Sequence, residues 1–213
     1  MKDIAIYGAG GFGREVACLI EKINRREPTW HIVGFYDDTK PAGTMTDMGE
    51  VLGGMDELNS VATPLAVVIA IGAPASIKTV RERIVNPHVS FPNIIDPDTE
   101  ILHPASVTFG QGNIVANKCV FTINIHVGDF NVFNGKVGVG HDTTIGDYNV
   151  LMPVVMVSGQ VEIGNLNFFG MMTGIVQGVH IGCDTRIGAG SIVIHNTKDG
   201  NLYMGNPARK TIL

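Results

Sequence analysis

Large apolar side chains occupy every sixth residue from Phe109 to Val193. The series runs Phe109, Val115, Phe121, Val127, Phe133, Val139, Ile145, Leu151, Val157, Ile163, Phe169, Ile175, Ile181, Ile187 and Val193, fifteen slots without a miss. This period fits neither an α-helix at 3.6 residues per turn nor a strand at two. It is the repeat of a parallel β-helix, in which short strands alternate with turns and successive coils stack. Two positions before each slot stand residues that are neither aromatic nor charged, among them Asn113, Cys119, Val137, Thr143 and Ser191. Glycine often follows the slot, at 110, 128, 140, 146, 164, 170, 182 and 188. The pattern predicts a narrow prism with one large and one small residue inside each face. The glycines are expected at corners whose φ/ψ other residues avoid. Three hexads close a triangular coil of 18 residues, so the fifteen slots predict five coils. At the usual inter-strand spacing the prism stands about 25 Å tall.

Before residue 100 the rhythm is different. Ile4–Tyr7 is a short apolar strand running into Gly8-Ala9-Gly10-Gly11-Phe12-Gly13. Val16, Leu19, Ile20 and Ile23 follow at helical spacing. Further strands are predicted over 31–36, ending in Asp37-Asp38, over 65–71 and over 90–95, with a basic helix around Lys78–Ile84. Alternating strands and helices predict a small parallel, Rossmann-like sheet. The boundary is set at 97/98, giving an α/β domain over 1–97 and an all-β domain with a C-terminal tail over 98–213. The glycine stretch matches G-x-G-x-x-G between a strand and a helix. Such a loop lets backbone N–H groups approach a diphosphate at a helix start. The spacing alone does not choose between a dinucleotide and a nucleotide-sugar.

Composition narrows the partners. The net charge of −5 gives no basic footprint, so no nucleic-acid partner is expected. The three cysteines, 18, 119 and 183, have neither zinc spacing nor an even count, so no metal site and no disulfide framework are expected. Cys119 sits in an inward slot and reads as core. No apolar run is long enough to span a membrane, and Met1-Lys2-Asp3-Ile4 does not open a signal peptide. The expected location is cytoplasmic.

Five segments together resemble one family. Gly8–Gly13, Gly34–Asp38, Ala70–Gly72, the hexads over 107–193 and Gly205–Arg209 are similar to bacterial sugar O- and N-acetyltransferases of the NeuD/PglD-like family. The resemblance implies a left-handed β-helix, a homotrimer, acetyl-CoA as co-substrate and a UDP-sugar-like acceptor in the front domain. It assigns acceptor contacts to Gly10, Gly11, Phe12, Asp37, Asp38 and Gly72. Contacts with acetyl-CoA fall to Val150, Gly170, Met171 and Ala189. Val150 stands where many relatives carry a second histidine. Arg209 and Lys210, near the C-terminus, read either as partners for CoA phosphates or as a solvated tail. The family's general base lies in an N-x6-H-[DE] stretch, here Asn134 through His141-Asp142.

The residues bear on this directly. His141 falls two places after Val139, outside both inward slots, and should face outward. Without the resemblance, His126 and His180 are equivalent candidates. Asp142 beside it is suited to orient the imidazole. Asn134 or a backbone N–H is suited to hold a developing oxyanion. The expected reaction is direct acyl transfer to an amine or hydroxyl of a nucleotide-linked sugar, with no acyl-enzyme. A sialic-acid-type O-acetyltransferase, a non-catalytic β-helix binding protein and a nicotinamide-linked sugar oxidoreductase are the competing readings.

Overall fold

The computed structural model describes residues 1–211; residues 212–213, the end of the expected tail, lie outside the described residues. The chain divides into two compact units, Met1–Pro97 and Asp98–Leu213.

The first unit is a sheet with helices. Its elements are β1 (Lys2–Tyr7), α1 (Gly11–Arg26), β2 (Trp30–Tyr36), β3 (Met45–Thr46), β4 (Gly49–Gly53), α2 (Met55–Asn59), β5 (Leu65–Ile69), α3 (Pro74–Arg83) and β6 (Val89–Ser90). The strand order is β3-β4-β2-β1-β5-β6, parallel except for the β3–β4 hairpin. β5 is buried throughout and β1 from Ile4 onward, which explains their apolar runs. α1 buries Val16, Ala17, Leu19 and Ile20 on one face. At its far end Lys22 grips both oxygens of the buried Asp96 at 2.7 and 2.8 Å.

Three sequence expectations change here. The β3–β4 hairpin and α2 carry no strong periodicity and were not foreseen. α3 starts at Pro74 rather than near Lys78, because proline is at home in a helix's first turn. The strand expected over 90–95 is two short pieces, Val89–Ser90 and Ile94–Ile95, separated by a stretch containing Pro92.

The second unit is the left-handed parallel β-helix implied above. Its strands form three walls. The first runs through Ile114–Val115, Val132–Phe133, Val150–Leu151, Phe168–Phe169 and Arg186–Ile187. The second runs through Val120–Phe121, Gly138–Val139, Met156–Val157, Gly174–Ile175 and Ile192–Val193. The third runs through Val107–Phe109, Ile125–Val127, Thr143–Ile145, Glu162–Ile163 and His180–Ile181. Every wall pairs residue n with residue n + 18, as in Ile114↔Val132, Val120↔Gly138 and Ile125↔Thr143. The slots from Val115 to Val193 are buried. Near one end Phe121 packs edge-on between Phe109 and Phe133, at 5.1 and 5.2 Å between centroids.

The corners correct the reading of the glycines. Left-handed φ, between +50° and +74°, recurs at every sixth residue from Gly112 to Gly190, three places after each slot. Eleven of these residues are not glycine, and Val154 is even β-branched. Each costs roughly 1–2 kcal/mol of backbone strain. The conformation turns the residue's N–H onto a carbonyl of the preceding coil, as in Phe130 to Gln111 (2.8 Å) and Tyr148 to Asp129 (2.9 Å). The glycines directly after the slots serve a different need. Gly110, Gly128, Gly146, Gly164 and Gly182 stack in one column, where a Cβ on Gly128 would lie 2.9 Å from the Gly146 carbonyl. Close coil-on-coil approach selects them.

Inside the prism the small slots hold a polar ladder. Asn113, Asn131, Asn149 and Asn167 are completely buried and lie one coil apart. Each Oδ1 accepts both the backbone N–H and the amide of the next asparagine, at 2.8–2.9 and 2.9–3.1 Å respectively. Thr185 closes the ladder with its N–H on Asn167 Oδ1 at 2.7 Å. Asn149→Ala strands buried groups above and below it. The expected outcome is a loss of at least ~2 kcal/mol in urea unfolding, well beyond that of an exposed asparagine such as Asn201→Ala.

Candidate active site

In the first unit, chain order reverses at β1: β2 lies on one side and β5 on the other. Ligands of open α/β sheets bind outside the carboxyl ends of strands at such a switch point. The glycine loop leaves the end of β1, and Gly72 follows β5. Gly8 has φ +109°, and a Cβ there would lie 2.7 Å from the Ala70 carbonyl oxygen. A Cβ on Gly13 would overlap the Gly8 carbonyl. These two glycines are fixed by packing. At Gly10, Gly11 and Gly72 a Cβ would meet nothing within 4 Å. Those three leave an exposed stretch of bare backbone, with Phe12 partly exposed beside it. The first N–H groups of α1 belong to this stretch and have no intrahelical acceptor.

The two acids after β2 are tied into the protein. Asp37 accepts the Ala9 N–H at 2.8 Å, and the N–H and hydroxyl of Thr39 at 2.8 and 2.6 Å. Lys40 donates to the Ala9 carbonyl from the other side. Asp38 accepts the Met55 N–H at 2.9 Å and Arg83 at 2.7 Å, stitching β2 to α2 and α3. Burial pushes both carboxyls up. For Asp37 the Thr39 hydroxyl and the Ala9 and Thr39 N–H groups outweigh it, with Lys40 adding to them. For Asp38 the Arg83 guanidinium and the Met55 N–H do so. Both end below the usual aspartate value. Asp37 therefore shapes the glycine loop directly, whereas Asp38 is engaged away from it.

In the second unit His141 and Asp142 form the corner between the second and third walls. His141 is half exposed, and its Nδ1 lies 2.8 Å from Asp142 Oδ2. The backbone there is an ordinary corner of the prism. Asp142 has φ +57°, its N–H donates to Ile123 O at 3.0 Å, and Gln160 N–H donates to His141 O at 2.7 Å. The imidazole lies over Gly159, the residue one coil further on. A Cβ at 159 would overlap Nε2. Asn124, one coil earlier, donates its amide to Asp142 Oδ1 at 3.0 Å. This hydrogen bond is the largest influence holding the Asp142 carboxyl below its usual value, with the His141 hydrogen bond next. Neither Gly159 nor Asn124 was singled out in the sequence. Both stand 18 residues from the pair, the spacing that would have found them.

The remaining candidates lie elsewhere on the prism. Asn134 stands at the corner between the first and second walls and spends its amide on Leu151 O at 3.2 Å; the fold does not bring it to His141. Val150 is fully buried and offers no surface to a ligand. Gly170 is buried and donates its N–H to Ile187 O at 2.8 Å. Met171 and Ala189 are exposed and stacked at the same corner as Asn134. Between that corner and His141 runs the second wall, with Val120, Gly138, Met156, Gly174 and Ile192 facing out. An open groove of about 400 Å³ crosses it. Lys118, Val120, Thr122, Lys136, Gly138, Gly140 and Met156 line this groove, which reaches the residue before His141. His126 and His180 face out of the third wall and pair with Thr108 at 2.9 Å and Glu162 at 3.3 Å. Among the described residues no cluster of His, Cys, Asp and Glu is arranged to hold a metal, and no helix is long and apolar enough to cross a membrane.

The model of the PglD N-terminal domain family matches residues 3–86. WeeI from Acinetobacter baumannii superimposes with a TM-score of 0.88 at 28% identity, covering 99% of this chain and 100% of that one. The acetyltransferase domain of PglB from Neisseria gonorrhoeae, in complex with acetyl coenzyme A, gives 0.87 at 26% identity, covering 99% of both chains. The first unit thus carries the PglD N-terminal domain, and over nearly its whole length the chain is similar to these proteins. The fold of this PglD-like chain is also similar to PerB from Caulobacter crescentus, solved with CoA and GDP-perosamine. There the TM-score is 0.85 at 26% identity, covering 99% of this chain and 98% of that one. A search of curated protein sequences found no match.

The front acids make the PglD-like front unit acid-sensitive. Their folded-state values lie below the unfolded one, so their stabilisation is complete above about pH 4 and is lost as pH falls through the folded values. The expected outcome is a decline in the stability of the first unit as pH falls below about 4. Asp37→Asn with Asp38→Asn is expected to be less stable at pH 7 and to show a shallower acid decline, as measured by denaturant titration at stepped pH.

Proposed function

We propose that the chain transfers an acetyl group from acetyl-CoA to an amine of a nucleotide-linked sugar, with His141 as general base. The observation that carries this reading is the His141–Asp142 pair, at 2.8 Å, on an exposed corner that borders an open groove. The PglB domain was solved with acetyl coenzyme A, and PerB with CoA and GDP-perosamine. The groove suits a thin, largely apolar arm, since its floor is Val120, Gly138 and Met156. The exposed Met171 and Ala189 extend that wall. In the first unit the open backbone at Gly10, Gly11 and Gly72 suits a diphosphate, and Phe12 offers a flat apolar contact. Both substrates are cytoplasmic metabolites, which sets the proposed location.

Acetyl-CoA supplies an activated carbonyl, so no protein nucleophile is needed. With Asp142 on Nδ1, the His141 lone pair is left on Nε2, the atom over Gly159. His141 Nε2 takes the proton that the acceptor nitrogen sheds as it bonds to the carbonyl carbon, and passes it to the sulfur as the C–S bond breaks. A base of this kind contributes about 10²–10⁴ in rate. His141→Ala is expected to lower turnover at least ~100-fold while its circular dichroism is unchanged. The measurement is thiol release from acetyl-CoA with a panel of UDP- and GDP-linked amino-sugars. Undiminished turnover would overturn the assignment.

The second wall also suits self-association into a trimer. Between 145 and 181 the only charged residues are Asp147 and Glu162. Met172, Val176 and Ile194 are exposed on or beside that wall, apart from the groove residues. Closed cyclic packing would cover them. Sedimentation equilibrium is expected to give three times the chain mass, and Val176→Asp to lower it. A monomer at micromolar concentration would refute this assembly.

A further inference from the structure

We infer that Asn124 is a positioning residue for the reaction: its side-chain amide fixes the Asp142 carboxylate, and through it the tautomer and aim of His141. The inference rests on the reading of His141 as the base. A carboxylate that is half exposed and bonded through one oxygen is free to rotate about χ2. Asp142 is held through both. Oδ1 takes the Asn124 amide at 3.0 Å, and Oδ2 takes His141 Nδ1 at 2.8 Å. Asn124 is fixed in turn. It sits at φ +53°, one coil before Asp142 at φ +57°, and its backbone N–H donates to Ser106 Oγ at 2.9 Å. Ser106 Oγ meets His103 Nδ1 at 2.8 Å. The result is a hydrogen-bonded line His103–Ser106–Asn124–Asp142–His141 laid across three successive coils.

The line has a direction. An imidazole that bonds a carboxylate through Nδ1 carries its proton there and presents Nε2 as the base. Nε2 points over Gly159, where no side chain intervenes. Asp142 is the acid in contact with the ring among the described residues; the neighbours one coil on and one coil back, Gly159 and Asn124, carry no charge. The Asn124 hydrogen bond is also the leading influence that lowers the Asp142 carboxyl below its usual value, in agreement with this geometry. Asparagine suits the position twice over. It tolerates left-handed φ better than other non-glycine residues, and its amide donates where an aspartate would repel.

Two variants keep the backbone and change the donor. Asn124→Gly retains the left-handed corner and removes the amide. Asn124→Asp retains shape and replaces the donor by a second carboxylate. The first readout is the tautomer of the neutral His141 ring by NMR on ¹⁵N-labelled protein, assigned with His141→Asn. Wild type is expected to show Nδ1–H. Asn124→Gly is expected to show mixed tautomers, because the acid swings away. Asn124→Asp is expected to show them too, because the second carboxylate repels Asp142 from its place. The second readout is kinetic, using thiol release with acetyl-CoA. Both variants are expected to lose about tenfold in kcat with KM for acetyl-CoA little changed. Folded variants whose tautomer and kcat match wild type would overturn the inference while leaving His141 as base. Full turnover by His141→Ala would instead overturn the base, and this inference with it.

Discussion

The backbone hydrogen bond between one coil and the next is the constraint from which the rest of the second unit follows. Strand residues donate to the coil ahead, as Ile114 does to Asn131 O at 2.9 Å, while corner residues donate to the coil behind, as Lys136 does to Asn117 O at 2.9 Å. Both sets are satisfied only if every coil has the same length and every corner bends the same way. Left-handed φ at valine, leucine and phenylalanine is the strain that this regularity imposes. The buried asparagine ladder meets the same requirement inside the tube, because a polar group in a narrow apolar core is tolerated only when its partners recur in register.

The chemistry is laid on that lattice without disturbing it. His141 and Asp142 occupy a corner whose φ and hydrogen bonds match those of its neighbours. What distinguishes it is side chains: an acid in the left-handed position, an amide one coil before it and a missing Cβ one coil after it. Precision at the imidazole therefore comes from repetition in the scaffold and needs no special loop. In the first unit the arrangement differs. Asp37 and Lys40 clasp the two sides of Ala9, so the glycine loop is shaped by side chains from the neighbouring strand's end.

Much of this was legible in the residues, for physical reasons. A slot that must fill the inside of a narrow tube admits only large apolar side chains, so the hexad is written without gaps. A strand buried on both faces is written as Ile4–Tyr7 and Leu65–Ile69. The glycines after the slots were legible as necessary, but their reason was not: steric approach between coils and tolerance of unusual φ both select glycine. The ladder of Asn113, Asn131, Asn149 and Asn167 was hidden because in sixes it looks like scattered small polar residues. Only in eighteens does it become a column. Asn124 under Asp142 was hidden in the same way. Val150 shows the opposite limit, since a motif position carried over by resemblance is fully buried, where a valine has nothing to offer a ligand.

The equal length of the coils has one further consequence. Since strands within the hexad region pair residues 18 apart, a whole coil is the smallest segment that can be gained or lost with every column in register. Removing a single hexad between residues 124 and 141 would turn everything beyond it by a third of a revolution and part the imidazole from the amide beneath it. Change in such a chain is quantised: it proceeds by substitution within a coil or by whole turns of the tube.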